Sequence, residues 1–310
     1  GESIMIDIGN TPALSKPENA SMGQIARAAM PWSARLKMPD ASPFDVLAAA
    51  FLVFLILVAI FVDFIPGLVS PRLPYGDFSA LPDWTLNGLL GTDDIGRSIL
   101  SRVLHGARTS MMIVALSTSI AVVSGLLLGM LAGYYRGIFE RCVDLFANAL
   151  AAMPSTLVVL AFVAVTGPSV VTIIVVLGIF DIGTYARVAK AGVISQSNRD
   201  YVLAARAMGA TDGRILLREI LPNLIPALTA VMPTLMAGLI ITEGSLSFLG
   251  YGIPEPAPSW GGMIASSTDL ISRFPLLLLG PVLAVVLTVY AFNTIGDYLA
   301  QRLNSRERES

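Results

Sequence analysis

The side chains that could carry out covalent chemistry are few in this chain of 310 residues. His105 is the only histidine, and one imidazole completes neither a Ser-His-Asp triad nor a metal site. Cys142 is the only cysteine, which excludes an internal disulfide framework. We therefore expect His105 to be structural and the chain to be no enzyme, with no metal or other cofactor of its own.

The lysines do not form a nucleotide site. A phosphate-binding loop has the pattern G-x-x-x-x-G-K-[ST], in which backbone N–H groups surround the phosphates and the lysine reaches the terminal ones. Lys16, Lys37 and Lys190 are followed by Pro, Met and Ala, so none of them completes the pattern. If the function of this protein uses ATP, the nucleotide and its magnesium must bind to a partner.

Glu243 ends a long apolar stretch and is a candidate for a transport pathway. An ionised carboxylate at membrane depth costs several kcal/mol unless it faces water, protein or a cation. Pro222 precedes it by 21 residues, about 31 Å of helix, which places Glu243 near the outer mouth of a membrane-spanning bundle. There it either attracts the amine of a solute such as a peptide or braces the following loop, residues 245–251.

Asp181 is the second acidic residue expected at membrane depth. It lies one turn before Tyr185 and close to Arg187 in the sequence. Two interpretations stay open for it. Asp181 either forms a structural pair near the cytoplasmic end of its helix or contacts the transported solute.

The composition indicates a membrane protein, because 55% of the residues are hydrophobic and only 14% are charged. The uncharged stretches that reach or approach the ~20 residues of a crossing helix are 46–62, 109–135, 145–180, 220–242 and 274–296. The third contains Gly167-Pro168 and is too long for one crossing, so we divide it into 145–166 and 169–188. Six spans result. A soluble helical protein would need polar faces that VLAAAFLVFLILVAIFV does not have.

The distribution of Lys and Arg predicts the orientation of these spans. With a cytoplasmic N-terminus, 15 of the 20 cations lie in cytoplasmic segments. The five outside are Arg72, Arg97, Arg102, Arg108 and Arg273. Because cytoplasmic loops carry an excess of positive charge, we expect both termini in the cytoplasm. The polar residues 1–44 are then a cytoplasmic tail and not a cleavable signal.

A cytoplasmic segment, YVLAARAMGATDGRILLREILPN at 201–223, separates the fourth and fifth spans. Asp200 is a suitable N-cap for a helix over 201–208, and Gly209 suits the left-handed position after it. Thr211 or Asp212 can cap a second short helix towards Ile220, with the next span beginning at Pro222.

The first short helix is expected to expose a small apolar surface to a partner. That surface consists of Val202, Leu203, Ala204, Ala205 and Ala207. A helix of about eight residues is too short to be stable alone in water, so it must dock on something. The segment either enters a groove on another protein or lies on the bilayer surface.

LAARAMG followed by REILPN resembles the cytoplasmic signature of ABC importer permeases, commonly Glu-Ala-Ala, three residues and Gly, with Leu-Pro about a dozen residues later. Ala204, Ala205, Gly209, Leu221 and Pro222 match it, and Leu203 stands where the family usually has Glu. The resemblance implies a coupling helix that sits in a cleft of an ATP-hydrolysing subunit. The residues implied in coupling are Leu203, Ala204, Ala205, Gly209, Asp212, Leu221 and Pro222.

Three further motifs narrow the resemblance. LGTDDIGRSILSRVLHGARTS at 90–110, LSFLGYGIPEPAPSWGGMIA at 246–265 and AFNTIGDYLAQRL at 291–303 are similar to the second permease of dipeptide and oligopeptide importers, a group that includes nickel permeases. The likeness covers about residues 45–305. Ser98 is a departure, since an acidic residue usually follows Arg97. The resemblance implies that outer loops receive a substrate-binding protein, with Trp260 and Tyr251 as candidate contacts.

The resulting expectation is an all-α integral membrane protein with six transmembrane helices and a cytoplasmic coupling-helix loop, the type I ABC importer permease fold. Its expected parts are a tail over 1–44, the first helix and outer loop over 45–107, a five-helix core over 108–300 with the coupling segment 199–221, and a tail over 301–310. It would lie in a bacterial or archaeal plasma membrane and import peptides, with nickel or another small solute as the alternative. The shortage of His and Cys removes any obvious soft-metal relay.

The implied partners are a second homologous permease, two ATP-binding subunits, an extracytoplasmic substrate-binding protein and membrane lipid, with no nucleic acid. A different class of function stays open. In a secondary transporter or channel without an ATPase, Asp181 and Glu243 would be ion or proton sites, although no convincing inverted repeat is visible. A purely structural membrane scaffold is a third, remote alternative.

Overall fold

The computed structural model describes residues 41–268, 271 and 274–307. Most of the predicted N-terminal tail, Arg273 and the last three residues lie outside this part of the chain. Within the described residues there is no sheet, and Thr92 and Ser98 form an isolated antiparallel bridge. The helices are α1 Pro43–Phe61, α2 Ile99–Tyr135, α3 Gly137–Ala151, α4 Ser155–Thr166, α5 Val170–Ser197, α6 Asp200–Ala207, α7 Asp212–Phe248, α8 Trp260–Ser267 and α9 Leu276–Glu307.

The helices α1, α2, α5, α7 and α9 are long and apolar enough to cross a membrane. The predicted third span, 145–166, differs from the structure, because it is not one straight helix. It is the end of α3 joined to α4, and the two helices are bent by 84° at a short break. Pro154 causes this break, since proline disfavours helical backbone in the residue before it and lacks the N–H that would continue the helix. The bent pair supplies a sixth span if its two parts cross together.

Some helix ends differ from the uncharged stretches. The α1 helix begins as its sequence indicates, because Ser42 and Asp45 form a reciprocal capping box and Pro43 occupies the first turn. The α2 helix begins at Ile99 and not at 109, so it contains Arg102 and Arg108, two of the five cations predicted to lie outside. Ser98 caps α2 by accepting a hydrogen bond from the Ser101 N–H.

The predicted break at Pro222 is absent, because α7 is continuous from Asp212 to Phe248. Residues Ile215–Ile220 adopt the wider π-helical form, and the Leu221 N–H bonds to the Leu216 carbonyl. This form lets the chain pass into Pro222 without the bond that proline cannot donate. A second short helix at an angle is therefore replaced by the first turns of the fifth span.

The closest helix contact joins α2 to α5 through glycines at four-residue spacing. A Cβ on Gly125 would lie 2.6 Å from the Tyr185 Cβ, and one on Gly129 would lie 2.4 Å from the Ala186 carbonyl oxygen. A Cβ on Gly133 would lie 2.9 Å from the Lys190 carbonyl oxygen. Small residues at i and i+4 allow two backbones in a membrane to approach closely, so this stripe fixes how α2 and α5 pack.

Two hydrophobic clusters lie one after the other along this helix pair. The cluster towards the α8 end includes Ile113, Val114, Ile173, Leu177 and Ile240. The cluster towards the α6 end includes Tyr185, Val193, Val202, Ile215 and Ile220. The core thus connects the α6 segment directly to the membrane helices.

Gly129→Ala tests the importance of the glycine stripe for the fold. Its Cβ meets backbone that cannot move without separating α2 from α5, so we expect the free energy of unfolding to fall by about 1–3 kcal/mol. Gly238→Ala in α7 is the matched control, because no heavy atom lies within 4 Å of its Cβ position. Unfolding midpoints of the two variants in detergent would be compared. Equal midpoints would contradict the packing role of Gly129.

Candidate functional site

The α6 segment, residues 199–214, is fixed on its own chain by one face and exposed on the other. Val202 and Ala205 are buried at 0% and 7% exposure and pack on the cluster around Ile215 and Ile220. The expectation that both belong to the exposed surface is therefore wrong. Their three-residue spacing puts them on one side of the helix, and that side faces the core.

The exposed face of α6 is apolar and contains the remaining predicted contact positions. Leu203 is 48% exposed and Met208 is 82% exposed, and Ala204 and Ala207 are exposed between them. Leu203, where the resemblance leads one to expect Glu, is thus an apolar member of this face. We call these four residues the α6 face.

Gly209 ends α6 in the way its position predicts. Its φ is +80°, in the left-handed region, and no heavy atom lies within 4 Å of where a Cβ would be. The Gly209 N–H bonds to the Arg206 carbonyl and the Ala210 N–H to the Ala205 carbonyl, both at 3.0 Å. These two bonds form a Schellman motif, which turns the chain away from the α6 face.

The start of α6 differs from the prediction. Asp200 is the first helical residue, and the N-cap is Arg199, whose side chain makes no capping bond. The Tyr201 hydroxyl instead ties α6 to the end of α5 by donating to Gln196 Oε1 at 2.8 Å. Asn223 Nδ2 donates to the Tyr201 oxygen at 3.2 Å. Burial of the Tyr201 hydroxyl raises its pKa, so it remains a neutral donor near pH 7.

Asp212 connects the α6 segment to α2. The Tyr134 hydroxyl donates to Asp212 Oδ1 at 2.6 Å, and Arg206 Nη2 donates to the Tyr134 oxygen at 3.3 Å. The Arg206 guanidinium also lies 5.7 Å from the centre of the Tyr134 ring. Tyr134 is not among the residues predicted from the sequence, because an aromatic residue at a helix end is ordinary there.

Leu221 and Pro222 do not lie on the α6 face. Both are inside α7, where Leu221 is half-buried and Pro222 is exposed. Their place just after the π-helical turns of α7 indicates that they shape the path into the fifth span. A direct contact with a partner is not needed to explain them.

Glu243 is buried at 1% exposure, at the end of the molecule opposite α6. Ser110 in α2 donates to Glu243 Oε2 at 3.3 Å, and Ser247 donates to Oε1 at 3.1 Å. The backbone N–H of Trp260 reaches the same Ser110 hydroxyl at 3.5 Å. Glu243 therefore joins α7 to α2 directly and, through Ser110, to the start of α8.

Trp260 is not on the surface, contrary to expectation. Its side chain is 1% exposed, and its Nε1–H donates to the Val103 carbonyl at 2.9 Å. The indole packs against α2, where Gly106 leaves room for it. Tyr251 is half-buried and packs on the core cluster at this end.

Two buried arginines, which the sequence did not single out, hold together the segments before α2 and α8. Arg97 bonds to Asp93 Oδ2 at 2.6 Å and to Glu255 Oε2 at 3.2 Å. Arg102 reaches Glu255 Oε1 at 3.3 Å. Burial alone would raise the pKa of Glu255, but hydrogen bonds and charge from Arg97 and Arg102 outweigh it and lower the pKa. The network links the loop before α2 to the loop before α8.

His105 lies beside this network and is fully engaged. Its Nδ1 is 2.8 Å from the Ser101 carbonyl oxygen, and its Nε2 is 3.4 Å from Asp63 Oδ1. Arg108 also pairs with Asp63, at 2.5 Å, and its Nε donates to the Ala59 carbonyl near the end of α1. These contacts attach α2 to α1.

Asp181 lies in α5 beside the break between α3 and α4. It lines a polar cavity of about 250 Å³ and is half-buried. Within the described residues it forms no ion pair with Arg187, whose Nη1 donates to the Ala147 carbonyl at 3.4 Å. The expected structural pair is thus not formed. Asp181 stays a candidate for contact with a solute.

Comparison with known proteins identifies relatives over most of the chain. Residues 125–309 match the family described as binding-protein-dependent transport system inner membrane component. The chain is 34% identical over 262 residues to the di/tripeptide transport system permease protein DppC of Pseudomonas aeruginosa, which covers 82% of this chain and 86% of that protein.

Two further relatives have similar coverage. The glutathione transport system permease protein GsiD of Pectobacterium atrosepticum is 34% identical over 262 residues, which is 84% of this chain and 86% of that protein. The dipeptide transport system permease protein DppC of Alkalihalophilus pseudofirmus is 31% identical over 280 residues, 90% of this chain and 91% of that protein. The family match includes α6, Glu243 and α8.

Substitution of Glu243 distinguishes a structural role from a role in the transport pathway. Glu243→Ala leaves Ser110 and Ser247 without their acceptor, so we expect the free energy of unfolding to fall by about 1–3 kcal/mol, while Glu243→Gln keeps an acceptor and stays closer to the parent. Glu219→Ala on the same helix is the control for stability. The measurements are unfolding in detergent and solute uptake. Normal assembly with lost uptake in Glu243→Gln would instead place Glu243 in the pathway.

Proposed function

The chain belongs to the family of binding-protein-dependent transport system inner membrane components, and from this premise we propose that it is the permease subunit of an ATP-driven importer of short peptides. The α6 face carries the proposal, because it offers a partner ATPase an exposed apolar surface in the family's cytoplasmic signature. ATP hydrolysis itself belongs to the partner subunits.

The physical argument for a protein partner is the exposure of the α6 face. Leu203 and Met208 place large apolar side chains in water on a helix of only eight residues. Apolar area removed from water contributes about 25 cal/mol per Å², so covering this face with a groove stabilises the assembly. The two small alanines between them allow a partner's backbone to approach closely.

Coupling follows from how α6 is attached. Tyr201 joins it to α5, and Tyr134 joins Asp212 to α2. Val202 and Ala205 pack it on α7. A partner that shifts α6 when it binds or hydrolyses ATP therefore acts on three membrane helices at once. This movement would switch the path between its inward-facing and outward-facing forms.

A peptide is the cargo best supported by the names of the relatives and by the shortage of side chains that could bind a metal ion. The relatives are named for di/tripeptide, dipeptide and glutathione transport. Nickel would favour imidazole or thiolate ligands, and the sequence has one histidine and one cysteine. His105 is already bonded to Ser101 and Asp63.

The proposed complex contains this chain, a second homologous permease that completes the path, two ATP-binding subunits and an extracytoplasmic substrate-binding protein. We further propose that α6 and both termini face the cytoplasm. The binding protein would dock at the opposite end, on the segments held by the Arg97, Arg102 and Glu255 network. The buried ion pairs would make that end rigid enough for docking.

Gly209 and Ala204 test the coupling role. Gly209→Ala places a Cβ in a left-handed position at a cost of about 1 kcal/mol. Ala204→Asp places a charge in the covered face. We expect both to keep membrane insertion but to weaken ATPase association and reduce substrate-stimulated ATP hydrolysis in the reconstituted complex.

Gly213 provides the matched controls, because it lies in the same segment, has open space around it and lacks a positive φ. Gly213→Ala and Gly213→Asp are expected to couple normally. Normal coupling in both the Gly209 and the Ala204 variants would show instead that the segment lies on lipid.

Labelling tests the proposed orientation. In a Cys142→Ser background, a cysteine at Arg214 should react with an impermeant maleimide only from the cytoplasmic side. A cysteine at Trp84, whose side chain is 100% exposed at the opposite end, should react only from outside. Reaction of both from the same side would refute the arrangement of spans.

A further inference from the structure

We propose that Asp181 and Arg187 bind the two charged ends of a short zwitterionic peptide as it passes the cavity at the α3–α4 break. The Asp181 carboxylate would hold the peptide's ammonium group, and the Arg187 guanidinium its carboxylate. This inference rests on the proposed function and names the residues that would recognise its cargo.

The cavity is polar although it lies between membrane helices. Its lining includes Asp181, Thr184 and Arg187 from α5, Ala147 and Ala151 from α3, and Ser155 at the start of α4. A carboxylate, a guanidinium and hydroxyl groups facing lipid would be costly. Such a set is tolerated where it faces protein or water, so the cavity faces a partner subunit or a water-filled path and not hydrocarbon.

The depth of the cavity agrees with a path. Asp181 is 11 residues from Val170, the first residue of α5, which corresponds to about 16 Å along the helix and to the middle of a ~30 Å hydrocarbon core. Lys190, two to three turns further on, pairs with Glu140 at 3.3 Å and with Asp144 at 2.5 Å. That triad marks the polar edge of the membrane, so Asp181 lies well inside it.

The charges in the cavity are available to a ligand. The only hydrogen bond of the Arg187 guanidinium within the described residues goes to the Ala147 carbonyl, at 3.4 Å. Asp181 has no hydrogen bond or ion pair in the same part of the chain, and Lys190 on the same helix is already paired with two acids. An opposite pair of charges is thus present in one cavity without being joined.

The spacing of these charges fits a short peptide. Asp181 and Arg187 are six residues apart on one helix, a rise of about 9 Å. Two or three extended residues span about 7–11 Å between their ends. The break adds donors, because the N–H groups of Ser155 and Thr156 precede Leu157, the first residue of α4 whose N–H bonds back to the Pro154 carbonyl. Di- and tripeptides match this rise along the helix.

The test uses the whole complex in liposomes, with its binding protein and ATPases, and radiolabelled dialanine as the probe. Asp181→Asn and Arg187→Gln are each expected to lower uptake about tenfold or more, because each removes a charge-assisted hydrogen bond. Basal ATP hydrolysis and subunit stoichiometry should not change. Asp297→Asn, at an exposed acidic residue in α9, is the matched control and should transport like the parent.

A charge exchange distinguishes recognition from a structural role. Asp181→Arg combined with Arg187→Asp presents the same two charges in reverse order, and a zwitterion can turn around to meet them. We expect uptake in the double variant to exceed that of either reversed single variant by about tenfold, since the two sites act through one ligand. Unchanged uptake in both neutral variants, or no recovery in the exchange, would overturn the inference.

A second measurement tests the proposal even if the charge variants fail to assemble. In a Cys142→Ser background, Thr184→Cys places a thiol in the cavity without altering either charge. Dialanine delivered by the binding protein should slow its alkylation, and N-acetyl-dialanine amide should not. Equal labelling under both conditions would overturn the inference. If the parent complex takes up no peptide at all, the proposed function fails, which is a separate result.

Discussion

The close contact between α2 and α5 is the constraint on which the other elements depend. In a bilayer the apolar surfaces of helices gain little from leaving lipid, so association relies on close packing. Gly125, Gly129 and Gly133 bring the α2 backbone against Tyr185, Ala186 and Lys190 of α5. Once these two helices are fixed, the clusters at both ends of the pair are fixed with them. The α6 segment docks on one, and the loop held by Glu243 docks beside the other.

The two ends of the molecule are held by different forces. At the α8 end, buried charges are joined in pairs and to hydroxyl groups, and removing one partner would leave an uncompensated charge. Such a network favours one arrangement of the segments at this end of the molecule. At the α6 end, the segment rests on Val202 and Ala205, with single hydrogen bonds from Tyr134 and Tyr201. These local contacts would let α6 move as a unit in the proposed coupling to a partner.

Much of the fold follows from apolar stretches and caps, whereas contacts between distant parts of the sequence do not. The uncharged stretch 109–135 predicts too late a start for α2, because Glu255 and Asp63 neutralise Arg102 and Arg108 inside the fold. Partners that lie far apart in sequence cannot be read from local charge. The same limit applies to Trp260 and Glu243, whose contacts with α2 come from tertiary packing.

Local signals were more informative at the α6 segment. Gly209 was assigned its left-handed turn correctly because only local backbone geometry decides it. The three-residue spacing of Val202 and Ala205 places them on one side of α6, whereas the apolar composition of the segment does not show which side is buried. Pro154 indicates that a bend is possible at this point in the chain, but it does not predict the angle of 84°.

The α5 helix connects the coupling surface to the polar cavity. It is continuous from Val170 to Ser197, and its last turn is tied to α6 by the bond between Gln196 and Tyr201. Asp181 lies 15 residues before Gln196, about 22 Å along a rigid helix. A tilt or rotation imposed at α6 therefore reaches the cavity with little loss, whereas α3 and α4 can yield at their break. Movement of the rigid helix α5 against the broken pair α3–α4 would change the shape of the cavity between them. The proposed binding and release of a peptide requires such a change.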